Sequence, residues 1–516
     1  MRVLEVNNID LIGRRFNGYD FVEELNTEEM HIDQSTIIKQ SLHPNVYPLL
    51  GQELMPYFYQ LEKFETEHLA VHSNLSITSP ALINSPLMKQ ADIVHFHMFH
   101  NSKFSLYSLL EIASKKKVIL SLHDPWLLTG HCVHFHNCDG WKNGCKHCPH
   151  LDWIFALKED YASELFQLKK KIFSQIDVDL VVPSHWMLDL VKKSPILKHI
   201  KNVHLIPFGI DTDIFSDSIG KEKARKHFGI DPDDFVLFFR SQKEFKGTEY
   251  IYKALKGLKT NRRITILTCS EKGLLKGMED QYRIIDLGNV DTDTLVYCYN
   301  ACDLFLMPSI GESFGMMAIE AMSCKRPVIV FDNTALPYVT HAPECGYLVK
   351  NKDYKDLRKA ILHFLEHEED CQIRGELGRN IVLKTYRLSD YYANIQNLYR
   401  EVYRREHKKI CLKQEKEEES INYLKYKLNQ LSKELFANDQ KKYRLLEYKI
   451  DSTKKYEGKI KYSSLAIQKI IDDYNKKLYS LLLDQPKSIK IVSKLKEKIR
   501  SHPRVYALLK KIRRSR

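Results

Sequence analysis

This sequence has no apolar run approaching the roughly 20 residues that a membrane-spanning helix needs. It has only 11 cysteines in 516 residues, too few for a disulfide scaffold in so long a chain. Its first residues, Met1–Val6, have the pattern of a β-strand and not of a cationic, apolar leader, so no secretory signal is predicted. These absences predict a protein of the reducing interior of the cell.

The composition is that of a soluble globular protein, and the length predicts two or three domains. Hydrophobic residues make up 43% and charged residues 28% of the chain, and the net charge is +13. From Glu401 to Arg516 there are 32 Lys and Arg against 15 Asp and Glu, a net +17, which leaves −4 on the first 400 residues. The positive excess therefore lies in the C-terminal segment, which predicts a polyanionic partner for that segment.

Short apolar runs alternate with helical patterns in two successive series. This alternation is typical of parallel sheets with crossover helices, so the predicted fold class is α/β with two doubly wound, Rossmann-like domains, 1–200 and 201–385. In the first series, strands are predicted at Arg2–Val6, Ile93–His97, Val118–Leu122 and Leu180–Val182. In the second they are predicted at His204–Ile206, Val236–Phe239, Arg263–Leu267, Arg283–Asp286, Leu304–Met307, Pro327–Phe331 and Gly346–Val349.

Beyond residue 385 the pattern is helical throughout. Residues 386–408 are predicted to form a helix returning towards the first domain. Residues 409–484 carry apolar side chains at alternating three- and four-residue steps, which favours a coiled coil, through self-association or as a long helical hairpin, over a single amphipathic helix packed on the body. Residues 485–516 form a basic amphipathic tail, suited to an anionic membrane surface. A solvated tail and a nucleic-acid contact are the alternatives, and the scarcity of aromatic residues argues against nucleic acid.

Two glutamates with seven residues between them are the most informative feature of the chain. Glu312 follows the apolar strand 304–307 in a strand-to-helix turn, and Glu320 lies about two turns into the next helix. In a doubly wound sheet such a turn opens onto the ligand-binding crevice. The helix start offers free N–H groups to a phosphate, and carboxylates accept hydrogen bonds from hydroxyl pairs. This combination predicts a nucleotide-sugar site.

Cations and a histidine are predicted at the ends of other strands. Arg240 ends strand 236–239 and Lys246 follows in the loop, where the two can neutralise a diphosphate; two solvated surface cations are the alternative. His123 and Asp124 end strand 118–122 and are predicted to project into the cleft between the domains. A satisfied structural histidine is the alternative for His123.

These motifs together resemble glycosyltransferases of the GT-B fold, family GT4 in particular, over most of residues 1–400. The resemblance implies that Glu312 meets hydroxyls of the transferred sugar, Glu320 meets the ribose, and Arg240 and Lys246 hold the donor phosphates. It also implies that His123 contacts the sugar. The residues expected to contact the phosphate or the base through backbone are Gly18, Phe314, Gly315, Met316, Asn289 and Val290. At Gly18 the pattern departs from the family, with one glycine where it has two.

The family resemblance implies a retaining, metal-independent hexosyl transfer from a UDP- or GDP-sugar. No Asp-x-Asp is identified in a loop suited to hold a divalent metal, and Asp211-Thr212-Asp213, in the domain-opening turn, is interpreted as structural. The expected acceptor is a glycan or polyprenyl-diphosphate-linked glycan in surface polysaccharide synthesis, with the enzyme on the inner face of the cell membrane. The alternatives are a soluble-acceptor sugar synthase of the same fold and a nucleotide-binding coiled-coil scaffold without activity.

Four cysteines lie within 17 residues in the segment 131–150. Cys132, Cys138, Cys145 and Cys148 have a density that suits a structural zinc, although the spacing is not that of a standard zinc ribbon. Free thiols and disulfides are the alternatives. A similar insert occurs in a subset of bacterial polysaccharide glycosyltransferases.

Overall fold

The computed structural model describes residues 1–51, 55–64, 78–101, 104–152, 157 and 159–407. The predicted coiled coil at 409–484 and the basic tail at 485–516 lie outside the described residues. The described part contains two parallel β-sheets, each flanked by helices, as the alternating pattern predicts.

The first sheet has seven strands in the order β3-β2-β1-β4-β5-β6-β7. Its strands are β1 (Arg2–Ile9), β2 (His31–Ile38), β3 (Val46–Pro48), β4 (Ile93–His97), β5 (Lys117–Ser121), β6 (Asp179–Val182) and β7 (Val203–Leu205). Its helices are α1 (Tyr19–Glu24), α2 (Met55–Phe64), α3 (Thr78–Asn84), α4 (Pro86–Gln90), α5 (Leu106–Lys115), α6 (Ala162–Phe173) and α7 (His185–Lys193). Ser184 caps α7 through a hydrogen bond from the Met187 N–H.

The second sheet has six strands in the order β10-β9-β8-β11-β12-β13. Its strands are β8 (Phe235–Ser241), β9 (Ile264–Ser270), β10 (Arg283–Asp286), β11 (Leu304–Met307), β12 (Val328–Phe331) and β13 (Gly346–Val349). The remaining helices are α8 (Lys221–His227), α9 (Thr248–Lys256), α10 (Thr292–Ala301), α11 (Met316–Ser323), α12 (Leu336–Thr340), α13 (Tyr354–Glu366), α14 (Glu368–Thr385) and α15 (Leu388–Arg404).

Two features of the first sheet differ from the sequence prediction. The strand predicted at His204–Ile206 as the start of the second domain is β7, which pairs in parallel with β6 at the edge of the first sheet. The first sheet therefore extends past the predicted boundary at residue 200. Strands β2 and β3 were not predicted, because β2 buries polar residues that interrupt any apolar run: Asp33, Gln34, Ser35 and Thr36.

The chain crosses between the sheets twice, and the two crossings lie side by side. The Ile210 N–H donates to the Tyr386 carbonyl over 2.9 Å, and the Leu388 N–H donates to the Ile210 carbonyl over 2.9 Å. Helix α15 then packs against the first domain, where Arg405, just past its end, pairs with Asp179 at 2.9 Å. The two crossings and α15 thus tie the domains together around one cleft.

Candidate active site

The carboxyl ends of β1 and β4 and of β8 and β11 are the places where each strand order reverses. In doubly wound sheets ligands bind at these switch points. The loops that follow β1, β8 and β11 carry residues predicted for the site, and they approach one another in the cleft. Ser184 at the start of α7 donates a 2.8 Å hydrogen bond to the Ser313 carbonyl, so the first domain also contacts the turn that carries Glu312.

Glu312 and Lys246 form an ion pair at the switch point of the second sheet. The Lys246 Nζ lies 2.5 Å from Glu312 Oε2, and the side chains are 21% and 16% exposed. The loops are joined by the Ile310 N–H, which donates to the Phe245 carbonyl over 2.7 Å. The structure therefore brings together two residues predicted for neighbouring parts of a donor, in a position that still faces the cleft.

Glu320 is fully buried, and both of its oxygens have partners. Oε2 accepts a 2.8 Å hydrogen bond from the Tyr299 hydroxyl. Oε1 accepts a 2.6 Å hydrogen bond from the Arg15 guanidinium of the first domain. Sequence reasoning placed Glu320 at the site but missed Arg15, although Arg15 lies close to the Asn17-Gly18 pair in the predicted phosphate loop.

Arg240 lies at the end of β8 with an exposed side chain. Its Nε donates a 3.4 Å hydrogen bond to the Ser270 hydroxyl. The structure thus leaves this guanidinium accessible at the cleft, while Lys246 is engaged with Glu312. Asp211, in the Asp-x-Asp turn, accepts hydrogen bonds from the backbone N–H groups of Asp213 and Ile214 over 2.9 and 3.0 Å, which agrees with a structural role for that turn.

His123 is half-buried and lies at one end of a polar chain whose other members, His97 and Glu5, are fully buried. Its ring stacks on Phe208 at 5.5 Å between centroids, and its Nε2 is 3.3 Å from Nδ1 of His97. His97 Nε2 is in turn 2.8 Å from Glu5. Burial, together with neighbouring histidines, lowers the pKa of His123 well below its usual value, so the imidazole is neutral at physiological pH.

Glu5 is the centre of that chain. Its carboxylate accepts a hydrogen bond from the Tyr399 hydroxyl of α15. Burial would raise the pKa of Glu5, but His95 and His97 lower it to about 2, so it is a carboxylate at neutral pH. Gly18 packs directly on this group, since a Cβ at Gly18 would lie 2.8 Å from Glu5 Oε2. Gly18 therefore has a packing role beside any contact with a ligand.

The residues predicted to contact the donor through backbone lie in the turn before α11 and in the loop after β10. The Phe314 ring is buried and packs edge-on against Phe208 at 5.2 Å. Gly315 is the N-cap of α11, and Met316 begins the helix, so the first N–H groups of α11 are directed towards the cleft end of β11. In the loop after β10, Asn289 is exposed, and Val290 is half-buried against the core.

In the cysteine-rich segment 131–150, all of which the structure describes, no three potential ligand atoms lie within 4.8 Å of one another, so the predicted zinc site stays a prediction. Zinc–sulfur bonds of about 2.3 Å place tetrahedral ligands within about 4 Å of one another. Among the described residues the only group with three potential ligand atoms within 4.8 Å of one another is Glu5, His95 and His97, whose polar atoms are hydrogen-bonded to protein. Cys132, Cys138, Cys145 and Cys148 are free thiols, and His131 Nε2 lies 3.1 Å from Cys148 Sγ.

This segment contacts the loops that carry Lys246 and Glu312. The His134 ring packs edge-on against Phe245 at 5.7 Å, next to Lys246, and the His136 ring stacks on Phe245 at 6.0 Å. A Cβ on Gly311 would lie 2.9 Å from the His134 ring. The contact of this segment with the loops that carry Lys246 and Glu312 is a finding of the structure.

Asp124, which was predicted with His123 to project into the cleft, follows β5. Its Oδ1 accepts a 2.9 Å hydrogen bond from the Trp126 N–H and caps the 3-10 helix Pro125–Leu128. Its Oδ2 lies 3.2 Å from His100 Nε2. Beneath this helix, the buried Lys169 donates to the carbonyls of Trp126, Thr129 and Gly130. These contacts hold Asp124 and the start of the cysteine-rich segment in place.

The family Glycosyl transferases group 1 matches this chain over residues 220–381. The match covers the strands and loops that carry Arg240, Lys246, Glu312 and Glu320. Residues 220–381 form a glycosyl transferases group 1 domain. Its place in the chain coincides with the second sheet, which holds the larger part of the candidate site.

Two bacterial glycosyltransferases are similar to parts of this chain. A D-inositol 3-phosphate glycosyltransferase of Paenarthrobacter aurescens is 28% identical over 193 residues, 35% of this chain and 46% of that protein. The putative colanic acid biosynthesis glycosyl transferase WcaC of Escherichia coli is 31% identical over 107 residues, 19% of this chain and 26% of that protein. This chain thus spans less than half the length of these two relatives.

The structure of Anabaena HepE in complex with UDP and glucose has a fold similar to that of this chain, within and beyond the group 1 domain. It superposes with a TM-score of 0.52 at 13% identity, covering 78% of this chain and all of HepE. The predicted fold class, two Rossmann-like domains in the GT-B arrangement, is thereby confirmed. Within the described residues, no helix is both long and apolar enough to cross a membrane.

Proposed function

We propose that this protein is a retaining glycosyltransferase that takes a sugar from a nucleotide-sugar donor. The observation that carries the proposal is the Lys246–Glu312 ion pair, which faces the cleft at the switch point of a glycosyl transferases group 1 domain. A cation and a carboxylate held 2.5 Å apart can bind a phosphate and a sugar hydroxyl that lie next to each other in a nucleotide sugar. HepE, which shares the fold, binds UDP and glucose, which supports a uridine-type donor.

In this scheme each residue has a specific task. Arg240 and Lys246 neutralise the diphosphate as it leaves, and the free N–H groups at the start of α11 assist them. Glu312 accepts hydrogen bonds from hydroxyls of the transferred sugar, and Glu320 accepts them from the ribose. Two cations and a helix start supply the positive charge that a divalent metal supplies in other transferases, so the proposed transfer is metal-independent.

The test is turnover of purified Lys246→Ala, Glu312→Ala and Arg240→Ala proteins with a panel of UDP- and GDP-sugars. Each substitution is expected to lower donor turnover by at least about tenfold, since each removes charge that interacts with the departing diphosphate or the sugar. Lys243→Ala is the matched control, because this lysine is 74% exposed and its partner is Glu271, outside the Lys246–Glu312 pair. Full activity in all three variants would refute the site.

For the acceptor, the proposal is a glycan or a polyprenyl-diphosphate-linked glycan in surface polysaccharide synthesis, used at the inner face of the cell membrane. The name of WcaC refers to colanic acid biosynthesis, and the basic tail suits an anionic surface. Flotation with anionic vesicles, with and without residues 487–516, tests the membrane part. Equal binding by the two proteins would refute a role for the tail.

A soluble acceptor is the second candidate. It is favoured by the P. aurescens relative, whose name specifies inositol 3-phosphate. An acceptor screen by mass spectrometry, with soluble sugars and sugar phosphates in one arm and lipid-linked glycans in the other, separates the two candidates. Product in the soluble arm alone would refute the lipid-linked acceptor.

A further inference from the structure

The contact between Arg15 and Glu320 joins the two domains at the centre of the candidate site. Arg15 lies on the 3-10 helix Arg14–Phe16 after β1, and Glu320 lies on α11. The Arg15 Nη1 is 2.6 Å from Glu320 Oε1, and the Glu320 side chain has no exposed surface. A ligand therefore cannot touch Glu320 while Arg15 holds this position.

The other oxygen of Glu320 is held from within the second domain. The Tyr299 hydroxyl, which is fully buried, donates to Oε2 over 2.8 Å. This bond does not depend on the first domain, so it persists when Arg15 withdraws. Withdrawal of Arg15 then leaves Oε1 without its charged partner, whereas Oε2 keeps the Tyr299 hydroxyl. A buried carboxylate oxygen without a donor strongly favours a new hydrogen-bond donor.

Arg15 is carried by a well-braced loop. The Asn17 side chain donates to the carbonyls of Ile9, Asp10 and Ile12 over 2.7–3.0 Å. Asp10 accepts from the N–H groups of Gln40 and Ser41 over 2.9 and 2.8 Å. These bonds tie the loop to the first domain, so the Arg15 backbone moves with that domain. The Arg15–Glu320 pair is thus broken either by a swing of the side chain or by opening of the cleft.

We propose that Arg15 competes with the ribose hydroxyls of the nucleotide for Glu320, and so sets the affinity of the donor site and holds the cleft closed while the site is empty. The choice of a nucleotide as the ligand rests on the proposed function, whereas the closing of the cleft by the Arg15–Glu320 pair does not. The nucleotide gains the bond to Glu320 only by replacing a charge-assisted pair, so its net affinity is reduced by the stability of that pair. Removal of Arg15 removes this competitor.

The test compares Arg15→Ala with Arg14→Ala in the full chain. Arg14 is the adjacent residue with the same charge, but it pairs with Asp20 and Glu23 inside the first domain. By calorimetry with UDP and GDP, Arg15→Ala is expected to bind at least about fivefold more tightly than wild type, and Arg14→Ala like wild type. The gain should be absent with 2′,3′-dideoxy-UDP, which lacks the competing hydroxyls. Unchanged or weaker binding of UDP and GDP by Arg15→Ala would overturn the proposal.

Small-angle scattering without nucleotide supplies an independent readout. Arg15→Ala should have a larger radius of gyration than wild type and Arg14→Ala, because the interdomain pair is lost. Equal radii for the three proteins would overturn the closing role. If neither wild type nor Arg14→Ala binds UDP or GDP, the proposed donor is refuted, and the scattering comparison still decides the closing contact. Arg15→Gln, which keeps a neutral donor near Glu320, should change both measurements in the same direction as Arg15→Ala and guards against misfolding.

Discussion

Substitution of Gly247 by alanine should damage both the stability of the second domain and the site. Gly247 follows Lys246 and caps α9 with φ of 74°, in the left-handed region. A Cβ there would lie 1.9 Å from the Pro308 carbonyl oxygen, in the loop that leads to Glu312. A left-handed alanine costs roughly 1–2 kcal/mol, and displacing packed backbone costs about 1–3 kcal/mol more. The expected loss is therefore about 2–5 kcal/mol.

Gly277 is the matched control for this substitution. Its φ is 88°, but a Cβ there meets nothing within 4 Å. Gly277→Ala should therefore cost only the backbone term of roughly 1–2 kcal/mol. For a domain of this size, 1 kcal/mol corresponds to about 2–4 °C in Tm. Differential scanning fluorimetry should show a loss of about 10 °C for Gly247→Ala and about 5 °C for Gly277→Ala.

Turnover separates the two variants more sharply than stability. A displaced Pro308 loop moves Glu312 relative to Lys246, so Gly247→Ala should lose at least about tenfold in turnover, measured well below its Tm. Gly277→Ala should keep wild-type turnover. Equal effects of the two substitutions on both Tm and turnover would refute the reasoning that Gly247 spaces the two loops.

Two further predictions concern buried polar groups. Tyr399→Phe removes the hydroxyl that donates to the Glu5 carboxylate and should lower the free energy of unfolding by about 1–3 kcal/mol. Tyr403→Phe, at a 45% exposed position, should leave the free energy of unfolding unchanged. Urea denaturation measures both variants, and equal midpoints would contradict the role of Tyr399. Burial, with help from nearby histidines and Lys352, lowers the pKa of His134 to about 3. The unfolded chain therefore binds one more proton at this position between about pH 6.5 and 3. The free energy of unfolding falls by about 1.4 kcal/mol for each unit by which the pH is lowered in that window. His134→Gln should reduce that slope, measured by urea denaturation from pH 7 to 5, and an unchanged slope would contradict a neutral buried His134.

Much of the second domain could be predicted because its elements have strong local signals. Strands β10, β11 and β13 match the predicted ranges, since β11 and β13 are short, mostly apolar runs and β10 has two isoleucines between charged residues. The first domain was harder, because β2 buries polar side chains whose partners come from distant loops. Gln34, for example, donates to the Asn17 carbonyl over 3.0 Å. No local pattern indicates such a partner.

For the site, local sequence order was enough to place Lys246, Glu312 and Glu320 at strand-to-helix turns of one domain. It could not indicate what each carboxylate touches, because the partners are far away in the chain. Glu320 meets Arg15 across 305 positions, and Glu5 meets Tyr399 across 394. The cysteine-rich segment is a similar case, because the spacing of its cysteines suits zinc, whereas only the fold shows that His134 packs against Phe245, next to Lys246.

The sequence by itself determined the α/β class and the position of the glutamate pair, because hydrophobic periodicity and turn residues act within a few neighbouring positions. The tertiary structure alone decided that β7 belongs to the first sheet, that Lys246 pairs with Glu312, and that Arg15 covers Glu320. Each of these contacts depends on how two distant segments pack, and such packing is set by the whole core and not by any local pattern.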